Sequence, residues 1–473
     1  MMEIPCGMQE QFLEAKELIE SSNDIKIYTH TDCDGICSGA ILSIILDRLN
    51  KDYEIEFVNL DEIEDLYLDH KLTIFSDLGS GQGIDKNAKD GQKILILDHH
   101  PPLRDINYKN DKAYTYLEIN PMFYGIDGSY YVCGGGLCYF LAKTFGFKDL
   151  SWIGVLSAIG DMQNNKTGHF EGLNEIIQKD AINEGLLKVT KNDLNIYGRS
   201  TRPLYVALSY FSDVKLPITN NQQEAKVVLE ELGVDEKHNR KTLSEVTEED
   251  KMEIKKFLSR MISKRVPPKY LKYVPKLIVG DAYTFLNEEE GSFLRDGSEF
   301  STAMNACGRN RKEAIGVDII KGDRLVALDA LEEVSKTHKY NLATSISKVA
   351  DNYHSEIIEL DNFQYFDCSD FDEDIASNII GTITGMVLGY CNWKKPILGF
   401  SKPKNNQIKV SLRCSKLLAY DGIHFGNMIR EIAKEVGGTG GGHAIACGAY
   451  IPNEKKSEFL DKFNRKLQGK IAN

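Results

Sequence analysis

Carboxylates and imidazoles follow four apolar runs in the first third of the chain. They are His30, Asp32 and Asp34 after "DIKIY", Asp77 after "LTIFS", Asp98, His99 and His100 after "KILIL", and Asp161 after "IGVLSAIG". Both side-chain types bind divalent metals, and their combination suits manganese, zinc or iron better than calcium, which prefers oxygen alone. The pattern therefore predicts a metal centre, whose bound water could act as a nucleophile near neutral pH.

Each of these acidic residues also has an ordinary structural interpretation. An aspartate after a strand or at a helix end is usually a cap or a turn residue. Asp161 alone would be a cap, Asp77 a turn residue, and Asp32 with Asp34 a pair that opens a helix. Four successive segments that each end on ligand-type side chains are hard to obtain from caps alone, so the whole set favours metal binding.

The apolar runs before these residues are typical of a parallel sheet covered by helices. Short runs rich in β-forming residues alternate with helical patterns such as "SGAILSIILDRLN". In such sheets ligands bind beyond the carboxyl ends of the strands, and this edge would collect up to five carboxylates and three imidazoles. Since neighbouring carboxylates repel each other, divalent cations are expected there, and a pair of them would need a bridging carboxylate.

The 473 residues predict an α/β protein with three regions. Residues 1–185 are expected to form the parallel-sheet domain, with helices on both faces. Residues 186–360 are charged and helical or mixed, and an acid three residues after the threonine of "TEEDKMEIKKFL" predicts a helix start. Residues 361–473 return to strand patterns and predict a smaller α/β domain.

Composition limits the class of protein. The formal net charge is −13, so the overall field does not favour polyanions, although a local basic groove or bound metal ions could reverse it. The ten cysteines form no Cys-x-x-Cys pair, which disfavours a structural zinc site. The acidic N-terminus does not resemble a signal peptide and no long apolar run occurs, so a cytoplasmic protein without a membrane partner is expected.

The order His-x-Asp-x-Asp-Gly, "SDLG", Asp-His-His and Gly-Asp resembles the DHH phosphoesterase superfamily. "HTDCDGICSGA" and "ILDHHPP" are similar to its signature segments, and "GGTGGGHAIACGAYIP" after "VSLRCS" is similar to its associated C-terminal domain. The segment "FLRDGSEFSTAMNACGR" resembles the archaeal RecJ-like exonucleases, also called GINS-associated nucleases. The first domain would then be a DHH domain, and the last a DHH-associated domain.

The resemblance implies a role for each candidate residue. One metal would be held by His30, Asp32 and Asp77, and a second by Asp34, Asp77, His99 and Asp161. Asp77 would bridge the two, His100 would contact the scissile phosphate, and Asp98 would orient a neighbouring histidine. Every ligand position is filled, whereas the related eukaryotic helicase subunit has lost ligands and activity. The implied cofactor is two divalent cations, with Mn²⁺ preferred and Mg²⁺ as the alternative.

The glycine cluster near the C-terminus suggests a second site. It lacks the Lys-Ser or Lys-Thr of a nucleotide-binding P-loop, and an arbitrary glycine run usually marks a turn. Bare glycine N–H groups can nevertheless approach phosphate oxygens closely. By resemblance this domain holds the nucleic-acid strand, and the expected substrate-binding residues are Arg413, Gly440, Gly441, Gly442 and His443.

The leading hypothesis is a metal-dependent exonuclease that hydrolyses single-stranded DNA, with 5′ to 3′ polarity favoured by resemblance and RNA left open. A phosphoesterase of short oligonucleotides, cyclic dinucleotides or pyrophosphate is the alternative, which the long middle region disfavours. A third hypothesis is a replisome scaffold bound to GINS and the replicative helicase. The charged helical segment 221–265 would be its docking surface.

Overall fold

The protein is described by a computed structural model over residues 2–60, 62–109, 113–234, 241–351, 357–368 and 373–471. Its strands are β1 Ile25–His30, β2 Tyr53–Val58, β3 Leu72–Ser76, β4 Lys93–Leu97, β5 Thr115–Ile119, β6 Leu187–Leu194, β7 Val279–Phe285, β8 Ile358–Glu359, β9 Gln364–Asp367, β10 Ile397–Phe400, β11 Gln407–Arg413, β12 Thr439–Gly442 and β13 Ala446–Pro452. Its α-helices are α1 Cys6–Glu20, α2 Cys33–Arg48, α3 Gly134–Thr144, α4 Ser151–Gly160, α5 Leu173–Asn183, α6 Leu204–Ser209, α7 Gln222–Glu231, α8 Glu248–Ser263, α9 Val274–Ile278, α10 Gly297–Arg309, α11 Glu313–Lys321, α12 Val326–Asp351, α13 Glu373–Val387, α14 Lys416–Tyr420, α15 Phe425–Glu435 and α16 Lys456–Leu467.

The chain divides into two compact units. Unit 1 comprises Met1–Asn192 and Asp281–Ser335, and unit 2 comprises Asp193–Gly280 and Lys336–Asn473. The segment predicted as one intervening region, 186–360, thus contributes to both units. The domain boundaries expected at 185 and 360 stay a prediction.

Unit 1 is built on a five-stranded sheet with the order β2-β1-β3-β4-β5, in which all neighbouring strands are parallel. Alternate residues of each strand enter different cores. On β4, for example, Leu95 and Leu97 belong to one hydrophobic cluster, while Ile94 and Ile96 belong to another. A strand buried on both faces explains the continuous apolar runs in the sequence, and the predicted α/β class is confirmed.

The two faces of this sheet are covered differently. Helices α1, α2 and α3 pack on the first face. On the second face, the cover comes from the 3-10 helices Ile63–Asp65 and Ile84–Asn87 and their flanking loops. The sequence predicted helices on both faces. Those of the second face are short, and the β2–β3 and β3–β4 connections contain several aspartates or glycines, which are poor helix formers.

Unit 2 contains a six-stranded mixed sheet with the order β12-β13-β11-β10-β9-β8. Only the β10–β9 pair is parallel among the strand pairs described in this sheet. Helices α15 and α16 contribute to the core on one side and α13 to a separate core that includes Ile397 of β10. The strands predicted at "KPILGFS", "QIKVSLR" and "AIACGAYIP" are confirmed as β10, β11 and β13.

The helical part of unit 2 follows the predicted capping signal. The Thr247 side chain accepts a hydrogen bond from the N–H of Asp250 (3.1 Å), and the Asp250 carboxylate accepts one from the N–H of Thr247 (3.3 Å). This capping box begins α8. Within the described ranges, no helix combines the length and the apolar character that crossing a bilayer requires.

A buried ion cluster in unit 2 gives a stability prediction. The Asp193 side chain is 1% exposed and pairs with Arg199 and, at 3.2 Å, with Lys251, both of which are also buried. Replacing Asp193 with alanine would leave two cations in the interior without this carboxylate. We expect Asp193→Ala to lower the free energy of unfolding by about 3–5 kcal/mol, measured by urea unfolding followed by circular dichroism.

The matched control is Glu253→Ala. Glu253 forms an ion pair with Lys256 on the exposed face of α8, where both side chains are about half exposed or more. Such a pair contributes less than about 1 kcal/mol. If the two variants lost the same free energy of unfolding, the buried Asp193 cluster would contribute no more than an exposed ion pair.

Candidate metal centre

Three neighbouring strands end at the same level with ligand-type side chains. His30 is the last residue of β1, while Asp77 and Asp98 follow the last residues of β3 and β4. The parallel register aligns the end of β3 with Leu97 of β4, and the N–H of Asp77 donates to the carbonyl of Leu97 (2.9 Å). The predicted convergence at the carboxyl edge of the sheet is therefore present within unit 1.

Helix α2 brings two more carboxylates to this edge. Asp32 is its N-cap and accepts a hydrogen bond from the N–H of Gly35 (3.1 Å). Asp34 lies in the first turn and is buried. The interpretation of Asp32 as a cap is thus correct, but it does not exclude a second role, because only Oδ1 is used by the cap.

The side chains form two sets that share Asp77. In the first, Nδ1 of His30 lies 3.1 Å from Oδ2 of Asp32 and 3.4 Å from Oδ2 of Asp77. In the second, Nε2 of His99 lies 3.5 Å from Oδ2 of Asp34 and 3.2 Å from Oδ1 of Asp77. Asp77 thus directs one oxygen towards each set.

Asp161 completes the second set. It is the C-cap residue of α4, as a cap interpretation predicts, and its Oδ2 lies 3.9 Å from Nδ1 of His99. Ligand atoms of Asp34, His99 and Asp161 all lie within 4.8 Å of one another, and the same holds for His30, Asp32 and Asp77. All six predicted metal ligands are therefore assembled.

Two buried atoms test whether a cation fits here. Nδ1 of His30 and Oδ2 of Asp77 are inaccessible to solvent and have no hydrogen-bond partner, although they lie only 3.4 Å apart. Buried polar atoms are normally hydrogen-bonded. An imidazole nitrogen and a carboxylate oxygen aimed at a common point are suitable metal ligands, so the residues fit a divalent cation.

The tautomer of His99 fits the second set. Its Nδ1–H donates to the carbonyl of Gly128 (2.7 Å), which leaves the lone pair of Nε2 directed at Asp34 and Asp77. Histidines that bind metals generally fix their ring orientation by such a bond to a carbonyl or carboxylate.

Negative charge exceeds positive charge among the side chains at this edge. Burial raises the pKa of the Asp34 carboxyl well above its ordinary value, and the charges of Asp77 and Asp161 add to this. Burial acts to lower the pKa of His99, but Asp161, Asp77 and Asp34 outweigh it and hold the pKa well above its usual range. The carboxylates therefore attract protons where divalent cations would satisfy them better.

Asp98 and His100 lie beside these sets with a different arrangement. Asp98 is buried and accepts hydrogen bonds from the N–H groups of Ser80 (2.9 Å), His99 (2.7 Å) and His100 (3.1 Å). Its Oδ1 also lies 2.8 Å from Nδ1 of His100, whose side chain is 45% exposed. Asp98 thus orients the His100 ring, and Nε2 is the ring nitrogen left for an external group.

Several residues that the sequence did not single out hold these carboxylates. Asp34 accepts hydrogen bonds from the N–H groups of Gly134 (2.8 Å) and Gly135 (2.7 Å) and from the Ser157 hydroxyl. Gln163 donates to Oδ2 of Asp161 (2.8 Å). The three successive glycines that open α3 were the one available signal, since Ser157 and Gln163 have no local pattern.

Helix α10 supports the loop that carries Asp32. Oδ1 of Asn305 accepts a hydrogen bond from the N–H of Cys33 (3.0 Å), which follows the cap residue. A Cβ on Gly308 would lie 1.7 Å from the carbonyl oxygen of Thr31, so the helix and the loop touch through their backbones. The segment "FLRDGSEFSTAMNACGR" therefore contributes directly to the position of the metal-binding loop.

The predicted substrate-binding residues lie in unit 2. Gly440, Gly441 and Gly442 belong to β12, the edge strand beside β13, and Arg413 ends β11. Arg413 pairs in register with Ala446, and the N–H of His443 donates to the carbonyl of Ala446 (2.9 Å). The five residues are thus neighbours within this unit.

Three family models match the chain. They are the DHH family, N-terminal domain, at residues 24–155, the DHH-CID domain at residues 196–274, and the DHHA1 domain at residues 361–469. The chain is also 31% identical over 446 residues to the uncharacterized protein MJ0831 of Methanocaldococcus jannaschii. That match covers 93% of this chain and 92% of the relative.

Two solved structures have a similar fold. The first is CDC45 from Entamoeba histolytica, with a TM-score of 0.61, 14% identity, and coverage of 98% of this chain and 99% of that one. The second is RecJ in complex with Mn²⁺ from Thermus thermophilus, with a TM-score of 0.54, 12% identity, and coverage of 99% and 55%. The chain therefore spans about half of that RecJ chain, and at these identities the likeness concerns the fold alone.

The support around Asp34 gives a prediction for metal affinity. Ser157→Ala removes one of the three donors to Asp34, which should loosen the carboxylate without removing a ligand. Loss of such a supporting bond typically weakens metal binding about 10–100-fold. Titration calorimetry of chelator-stripped protein with Mn²⁺ measures the change. Ser151→Ala, at the other end of α4, is the control and should bind Mn²⁺ as the wild type does. An unchanged affinity for Ser157→Ala would contradict the inferred role.

Proposed function

The chain belongs to the DHH superfamily as a RecJ-like protein, as its motifs predicted, and from this membership we propose that it is a metal-dependent exonuclease that hydrolyses single-stranded DNA. The DHH and DHHA1 models match opposite ends of the chain, and both regions carry the residues expected for catalysis and strand binding. A 5′ to 3′ direction is the proposed polarity, and RNA is the second substrate to be tested.

The placement of Asp77 supports this proposal most strongly. A carboxylate with one oxygen beside His30 and the other beside His99 has the geometry of a bridging ligand. In the proposal, His30, Asp32 and Asp77 hold one divalent cation. Asp34, Asp77, His99 and Asp161 hold the other, with Mn²⁺ preferred and Mg²⁺ as the alternative.

Two such cations would lower the pKa of a water molecule and neutralise the charge that develops on the phosphate. The protein's own part is to fix the carboxylates before the substrate arrives. Asp34 is held by three donors and Asp161 by Gln163, so little reorganisation is needed. Preorganised charges of this kind make a large contribution to catalysis.

His100 is the proposed contact to the scissile phosphate. Its ring is fixed through Nδ1 by the buried Asp98 carboxylate, and the half-exposed side chain leaves Nε2 to donate to a non-bridging oxygen. The Asp98 carboxylate would thereby hold the His100 ring in position for the phosphate.

Arg413 and the glycine strand are proposed to bind the nucleic-acid backbone. Burial lowers the pKa of Arg413, and among the described residues no carboxylate lies within ion-pair distance of it. A guanidinium without a protein counter-charge is well suited to a phosphate. The same nucleic-acid strand would also contact Gly440, Gly441, Gly442 and His443.

The decisive experiment uses DNA and RNA strands of about thirty nucleotides, each labelled at one terminus and incubated with the purified protein and Mn²⁺. We expect processive shortening of single-stranded DNA, with a 5′ label released first. Mg²⁺ should support a lower rate, and chelator should abolish the reaction. Products are resolved by denaturing gel electrophoresis.

Matched variants and substrates make the result specific. Asp34→Ala should be inactive, whereas Glu253→Ala, on the exposed face of α8, should behave as the wild type. Cleavage of only two- to five-nucleotide substrates would instead support the small-substrate phosphoesterase. Full activity of Asp34→Ala would exclude the proposed metal site.

Variants of the two adjacent histidines should have different effects, one on metal binding and the other on the catalytic rate. His99→Ala removes a ligand of the second set, so we expect the bound Mn²⁺ measured by mass spectrometry to fall from two ions to one. His100→Ala should keep both ions and reduce kcat by about 10²–10³-fold, the usual cost of losing one donor to a developing oxyanion. Loss of an ion in His100→Ala would reverse this assignment.

A further inference from the structure

A second arginine lies against the glycine strand of unit 2. A Cβ built on Gly441 would be 3.1 Å from an Nη atom of Arg430 and 3.3 Å from its Nε. The guanidinium of Arg430, which projects from α15, therefore rests directly over the backbone of β12. Arg430 is exposed, and β12 is the edge strand of its sheet, so both are open to a ligand.

Arg430 has almost no counter-charge. Its hydrogen bond goes to the neutral side chain of Asn427 (3.1 Å), and among the described residues no carboxylate lies within ion-pair distance of it. The two acids that follow it on α15, Glu431 and Glu435, pair instead with lysines of α16 at 2.5 and 2.7 Å. The guanidinium of Arg430 therefore keeps donors and a positive charge that an anionic ligand could use.

Arg413 and Arg430 lie near the same part of the sheet. Burial raises the pKa of the Cys447 thiol to about 12, and the positive charges of Arg413 and Arg430 both oppose this shift. Cys447 pairs in register with Gly442 on one side and with Leu412, next to Arg413, on the other. The Arg430 guanidinium thus lies beside β12, whereas that of Arg413 lies against α13, where a Cβ on Gly381 would be 2.8 Å from one of its Nη atoms.

We propose that Arg430 is a second phosphate-binding residue, which contacts one phosphate of a nucleic-acid strand at β12 while Arg413 contacts another phosphate of the same strand. The inference rests on the proposed function of this domain and adds a residue that the motif does not include. Glycine suits this arrangement, since a Cβ at position 441 would lie only 3.1 Å from the guanidinium and crowd it.

A consequence concerns substrate length. A dinucleotide without terminal phosphates has a single phosphodiester and cannot engage both arginines, whereas a longer strand can. Arg430 should thus strengthen the binding of long strands and have little effect on a dinucleotide. Arg430 would therefore favour long single strands over short oligonucleotides as substrates.

The experiment measures binding of a fluorescent twenty-nucleotide DNA strand by fluorescence anisotropy, with chelator present so that the strand is not hydrolysed. We expect Arg430→Ala to weaken binding about tenfold or more at 0.15 M salt. The logarithm of the association constant decreases with the logarithm of the salt concentration, and this slope should become less steep by about 0.7, the value for one phosphate contact on a single strand. Arg430→Lys should recover most of the slope but not all of the affinity, because lysine keeps the charge without the planar pair of donors.

Lys434→Ala is the matched control. Lys434 is exposed one turn later on the same helix, and its replacement changes the net charge by the same amount. It should alter the affinity less than twofold and leave the slope unchanged. If Arg430→Ala and Lys434→Ala changed the affinity and the salt dependence equally, the inference would be overturned, because the effect would then come from the loss of one positive charge and not from its position.

Failure of this inference can be distinguished from failure of the proposed function. If the wild type binds the strand and Arg430→Ala binds it equally well, the role of Arg430 is wrong while the function stands. If the wild type binds neither DNA nor RNA strands, the proposed function fails and the inference fails with it. Circular dichroism melting curves of all variants should coincide, since Arg430 makes no buried contact that folding requires.

Discussion

Asp77 joins the two ligand sets and is held in a backbone conformation that is uncommon for an aspartate. Its φ of 60° lies in the left-handed region, which costs a residue with a Cβ about 1 kcal/mol or more. A Cβ on Gly134 would lie 2.7 Å from that of Asp77, so the start of α3 packs directly against it. The turn after β3 thereby directs the carboxylate sideways between His30 and His99, and the spacing of the other ligands follows from this position.

The residues that could be identified from the sequence are those at the ends of regular elements. His30, Asp77 and Asp98 are found because β1, β3 and β4 have unmistakable apolar patterns, and a parallel sheet brings their ends together. Ser157 and Gln163 could not be found in this way. Ser157 reaches Asp34 only through the packing of α4 against α2, and nothing in the local sequence indicates which buried serine will face a carboxylate. Gln163 lies only two residues from Asp161, but a glutamine after a helix end has no pattern that marks it as a support for a ligand.

The segment 293–309 illustrates what a resemblance supplies and what it leaves out. Its likeness to RecJ-like exonucleases marks it as characteristic, yet the sequence does not say why it is needed. In the fold it forms a short 3-10 helix followed by α10. In α10, Asn305 accepts a hydrogen bond from the N–H of Cys33, and Gly308 packs against the Thr31 carbonyl. The segment therefore fixes the loop of Asp32 and Asp34 from a position more than two hundred residues away in sequence, which only tertiary structure can reveal.

The two glycine runs have different physical purposes despite similar composition. Gly134 and Gly135 open a helix, and their N–H groups point at the Asp34 carboxylate, where the helix N-terminus also stabilises negative charge. Gly440 to Gly442 instead form an extended edge strand, whose bare surface admits a guanidinium. The first run thus stabilises a charge that belongs to the protein. The second lies near Arg413 and Arg430, which have no carboxylate within ion-pair distance among the described residues, and this is why we propose that the negative charge at this run comes from a ligand.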